Sequence, residues 1–185
     1  MLVACSQEES CESDDGYGIS AQCLPRYEAI ADSGNSDMMF RLYLYWESEG
    51  DKVKANKLLV RAAESGSTVA RMHSLGNCGD SSPFSASQRQ LYASKLAASH
   101  ESKGLSSALQ FYLGLSCDRV VDLEKARLIA NSQYLSGDDA CVVTSFHIAR
   151  ANREENAVTE LLAEKCSADG NRQSLAFQRV QQSRK

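Results

Sequence analysis

Apolar positions in this chain do not alternate as those of a half-buried strand would. Ala and Leu are abundant, no run alternates Val, Ile or Thr with polar residues, and only two prolines interrupt 185 residues. The predicted class is all-α. Residues 6–18 are Ser-, Glu- and Asp-rich, too polar to bury surface that would offset their ordering entropy. Residues 1–18 therefore read as a flexible tether and residues 19–185 as a single helical domain. Within that domain Gly34, Gly66, Gly104, Gly137 and Gly170 recur at intervals of 32, 38, 33 and 33 residues. Each follows a helical pattern, as expected where a helix ends in left-handed backbone. The period predicts about four antiparallel helix pairs. The first helix of each pair starts near Met38, Ala70, Ala108 and Cys141, compact or flexible side chains where helices approach closely.

Two internal matches sharpen this pattern. Ala70-Arg71-Met72-His73-Ser74-Leu75-Gly76 and Ala108-Leu109-Gln110-Phe111-Tyr112-Leu113-Gly114 share Ala, Leu and Gly at the same offsets. Asp51-Lys52-Val53-Lys54-Ala55 and Asp122-Leu123-Glu124-Lys125-Ala126 share D-x-x-K-A. There Asp caps the free amides of a second helix, and Ala admits its partner. The stretch from Ala29 to Gly76, with Ile30 to Gly34, Leu42, Tyr43, Trp46, Asp51 to Ala55, and Ala62-Ala63-Glu64-Ser65-Gly66, resembles the Sel-like repeats, short relatives of the tetratricopeptide class. The likeness covers roughly residues 24–170. Tyr43 replaces the family's glycine, and Gly104 and Gly137 lack its preceding Ala-Ala. The resemblance implies an α-solenoid whose first helices line the inner side, with Trp46 at the position of a core tyrosine.

Charge and cysteine change the picture of where such a protein works. The formal net charge is -4, with Lys and Arg scattered along the sequence, which argues against nucleic acid as a partner. No apolar run approaches the ~20 residues of a membrane-spanning helix. Seven cysteines lack the C-x-x-C pairs of a zinc site, so disulfides in an oxidising compartment are expected, buried unpaired cysteines being the alternative. Leu2-Val3-Ala4-Cys5 resembles a bacterial lipobox, which makes Cys5 the candidate lipid anchor of a periplasmic lipoprotein and its only link to a membrane. The other six cysteines allow 15 connectivities. The stack implied by the repeat resemblance brings together Cys78 and Cys117, then Cys141 and Cys166, leaving Cys11 with Cys23.

No constellation for chemistry emerges. His73, His100 and His147 are isolated, and S-x-x-K, G-x-S-x-G and phosphate-loop motifs are absent. Acidic pairs fall in the tether or at helix starts, where they serve as solvated charge. No catalytic, cofactor or metal residue is assigned. The binding candidates are a stripe at offsets of seven and eleven from successive glycines: Arg41 and Tyr45, His73 and Asn77, Phe111 and Leu115, Thr144 and Ile148. Tyr and Arg are frequent anchors of protein partners; ordinary packing or exposure is the competing account. The expected function is protein binding. Small lipoproteins of this repeat type resemble immunity proteins that occlude phospholipase effectors of type VI secretion, and an envelope scaffold or host-interaction adaptor is the alternative. A β-lactam or cell-wall enzyme would need a nucleophile and base that are not recognisable.

Overall fold

Short polar side chains start most of the helices. The computed structural model describes Cys11, residues 19–148 and residues 156–168, with the side chains of residues 145–148, 156, 157, 167 and 168 set aside. Among these residues the chain forms helices and no strand: α1 (Leu24–Asp32), α2 (Ser36–Ser48), α3 (Lys52–Glu64), α4 (Thr68–Gly76), α5 (Ala86–Ala97), α6 (Ser102–Tyr112), α7 (Leu123–Ala130), α8 (Gly137–Ile148) and α9 (Asn156–Ala168). The D-x-x-K-A segments do what their chemistry predicts. Asp51 accepts the Lys54 amide at 3.1 Å and Asp122 accepts the Lys125 amide at 3.0 Å, opening α3 and α7. Asn35 caps α2 through the Met38 amide, and Ser85 with Gln88 forms a reciprocal capping box on α5.

The helix stops are partly those predicted. Gly34 and Gly66 adopt φ of 101° and 111°, and the amides beyond them return to Ile30 and Ala62, closing the preceding helices. Gly50 and Gly114 end α2 and α6 in the same way. Gly104 and Gly137 correct the predicted pattern: they lie buried in the first turns of α6 and α8. They begin helices instead of ending them, while α5 and α7 end in right-handed backbone at Ala98 and Asn131. Gly170 lies outside the described residues, as do Cys5 and, apart from Cys11, the tether.

The contacts divide the chain into two compact units, Met1–Ala70 and Arg71–Lys185, with the division inside α4. In the first, α2 packs on α1 and on α3. Ala55, Ala62 and Ala63 present no bulk where α3 meets its neighbours, and Leu42, Leu59, Met39 and Tyr43 fill the core. In the second, α5 packs on α6, α6 on α7, and α8 on α9. The first helix of one pair also meets the first of the next, α6 on α8, and the second meets the second, α7 on α9. That is the stacking of a helical repeat. Tyr92, Leu96, Leu105, Leu109, Phe111, Tyr112, Leu135, Val143 and Leu162 are buried there.

Covalent and ionic ties reinforce both units. Cys11 bonds Cys23 at the head of α1; Cys78 bonds Cys117, joining the loops after α4 and α6; and Cys141 bonds Cys166, joining α8 to α9. Arg89 of α5 grips Asp118 through two bonds of 2.6 Å and donates a third, of 2.7 Å, to the Phe84 carbonyl. The Lys165 ammonium on α9 reaches the Ala130 and Ser132 carbonyls at the end of α7, where a cation complements the helix dipole. Three disulfides mark an oxidising, extracytoplasmic setting. No helix among the described residues is long and apolar enough to cross a membrane.

Candidate partner-binding site

The predicted stripe does not survive as one surface. Arg41 is exposed and Tyr45 half-buried on α2; His73 is exposed and Asn77 half-buried at the end of α4. Phe111 and Thr144 are corrections, both 0% exposed. Phe111 is enclosed because α6 has α5, α7 and α8 as neighbours. Thr144 faces inward from α8 and donates its hydroxyl hydrogen to the Ala140 carbonyl at 2.7 Å, a satisfied core threonine. Leu115 is half-buried just beyond Gly114, and the side chain of Ile148 lies outside the described set. Arg41 and Tyr45 belong to the first unit and the remainder to the second.

What the structure does assemble is a cleft within the first unit, beside Tyr45. Its volume is about 310 Å³, and α1, α2 and α3 each contribute a wall. From α2 come Leu42 and Trp46, from α1 Glu28, Ala31 and Asp32, and from α3 Lys54, Lys57, Leu58 and Arg61. Trp46, at the position expected to be core, is only half-buried. Its ring meets the edge of Tyr45 at 5.1 Å, and the Lys54 ammonium sits 3.8 Å from its centroid. This cation–π contact holds the indole in place while leaving ring surface towards the cleft. Two turns further along α3, Arg61 pairs with Asp32 at 3.1 Å.

Three α3 cations thus line one opening in an acidic protein, a cluster hidden by the scattered look of Lys and Arg in the sequence. Their spacing of three and then four residues places them on one helix face. That spacing is the trace by which the sequence could have disclosed them. Buried Tyr43 lies on α2, the helix of Trp46, and its phenol is pushed above the usual tyrosine range by burial and by the Glu47 charge, so it remains neutral.

A second polar group, in the other unit, resembles a reactive constellation and works as a brace. Ser102 donates to Asp139 and accepts the Ser136 amide at 2.7 Å, while Ser136 accepts the Asp139 amide at 3.2 Å. The network caps α8 and fastens it to the head of α6. His100 stacks on Tyr134 with centroids 4.2 Å apart. In a serine nucleophile pair the imidazole receives the hydroxyl proton; here the Ser102 hydroxyl is committed to a carboxylate. Among the described residues no group of three or more His, Cys, Asp or Glu side chains is arranged to hold a metal ion. Comparison with protein-family models, curated proteins and solved structures finds no match to this chain.

Proposed function

We propose that the chain is a protein-binding module of an oxidising compartment and that it engages its partner through the α1–α3 cleft. The observation that carries this reading is the half-buried Trp46, held by Lys54 and flanked by the Arg61–Asp32 pair. Trp, Tyr and Arg set in a partly desolvated recess are the side chains that most often dominate association energies. Arg41 and Tyr45 extend the same helix surface.

In the specific form suggested by the Sel-like resemblance, the protein is a periplasmic lipoprotein anchored through Cys5, and it acts as an immunity protein. It binds a phospholipase effector and blocks the approach of lipid, with no catalytic step of its own. Co-purification with the product of a neighbouring gene, followed by a lipase assay, tests this form. Binding with inhibition supports it; binding without inhibition leaves a scaffold or adaptor; a covalent band with labelled penicillin would replace it with an enzyme. At the cleft itself, Trp46→Ala is expected to weaken partner binding by about 2 kcal/mol or more, as truncation of a central anchor does. Arg41→Ala with Tyr45→Ala should weaken it further. Unchanged affinity in both variants, with native circular dichroism, would remove the cleft from the interface.

A further inference from the structure

We propose that the segment entering the α1–α3 cleft is acidic and partly apolar, its carboxylate received by Lys57; this rests on the cleft being the partner site. The three cations of the α3 wall are not equivalent. Lys54 is committed to the Trp46 ring and Arg61 to Asp32. Lys57, one helical turn from each on the same face, lines the cleft, and among the described residues its ammonium has neither a hydrogen bond nor an ion pair. It is the charge left to be matched from outside.

The opposite wall sets the orientation. Glu28 lines the cleft from α1 without pairing to Lys57, so the recess has a negative side and a positive side. A carboxylate is repelled from α1 and drawn to α3, while an apolar neighbour in the same segment finds Leu58 and the exposed part of Trp46. The cleft volume of about 310 Å³ suits one or two side chains, not a folded element. Charge complementarity therefore selects an extended or loop segment bearing Asp or Glu beside an apolar residue.

Trp46 is the chain's only tryptophan, so its emission reports occupancy of this cleft alone. The experiment titrates the full chain with three short blocked peptides, of Glu and Leu, of Gln and Leu, and of Lys and Leu, and follows emission and heat. The Glu–Leu peptide is expected to bind best, to weaken with added salt, and to lose about tenfold in affinity with Lys57→Glu. Lys57→Gln should lie between. Equal binding of all three peptides, or a Lys57→Glu variant that binds the acidic peptide unchanged, overturns the carboxylate assignment while leaving the cleft as a binding site. If no peptide perturbs Trp46 and Trp46→Ala leaves the natural partner's affinity intact, the cleft reading falls as well. Lys57 is exposed, and circular dichroism verifies that both variants fold.

Discussion

Arg89 and Asp118 are each about nine-tenths shielded from solvent, with side-chain exposures of 11% and 12%. The hydrogen bonds that Arg89 donates to Asp118 raise the guanidinium above its ordinary range against the opposing effect of burial, so Arg89 stays charged at any pH the protein meets. Removing one partner leaves the other buried and uncompensated. Asp118→Ala and Arg89→Met are each expected to destabilise the protein by about 3–5 kcal/mol. The double variant should lose less than the sum, because it buries no lone charge. Chemical denaturation of the four species measures the coupling; strict additivity would show that the pair does not act as a unit. The same scale explains why Lys57 went unnoticed in sequence. A lysine's role depends on what stands opposite, and Glu28, Trp46 and Asp32 come from helices that the sequence does not place.

At the scale of elements, the helix ends were the most legible part of the chain. An Asp cap or a glycine in left-handed backbone acts within a few residues, so Asp51, Asp122, Gly34 and Gly66 could be read locally. Gly104 and Gly137 misled because glycine also serves buried helix starts, a choice made by neighbouring helices. Phe111 and Thr144 misled for a related reason: equivalent offsets lie open on α2 but covered where α6 and α8 stack.

Two predictions belong to these helix ends. Asp122→Ala should cost about 1 kcal/mol, the usual worth of an N-cap. The Asp122 carboxyl is held below the ordinary aspartate range, chiefly by the Lys125 amide it accepts. Its folded pKa lies below its unfolded one, so its stabilisation is complete above the ordinary range and disappears as acid brings the pH through the lowered value. Unfolding followed from pH 7 into acid should show the gap between wild type and variant closing. Gly34→Ala and Gly76→Ala make a second contrast, since an added methyl meets nothing within 4 Å at either position. Gly34 has φ of +101°, so that substitution should destabilise by about 1–2 kcal/mol. At Gly76 the backbone is ordinary, and alanine should be neutral or stabilise by up to about 1 kcal/mol. Equal thermal shifts would refute the conformational account.

Across the whole molecule the three disulfides differ in reach and in access. They close separations of 12, 39 and 25 residues, and each should contribute about 3–4 kcal/mol by restricting the unfolded chain. Cys78 and Cys117 are exposed, whereas Cys141 and Cys166 are buried between α8 and α9. Graded treatment with a dithiol, then alkylation and peptide mapping, should label Cys78 and Cys117 while Cys141 and Cys166 stay protected. Simultaneous labelling of all four would show that reduction requires global unfolding.

None of the three bridges crosses from one unit to the other: Cys11–Cys23 lies wholly before Ala70, and the other two lie wholly after it. A single protease nick after Arg71 therefore yields two fragments on a denaturing gel run without thiol. A nick within residues 79–116 leaves the pieces riding as one band, because Cys78–Cys117 spans the wound.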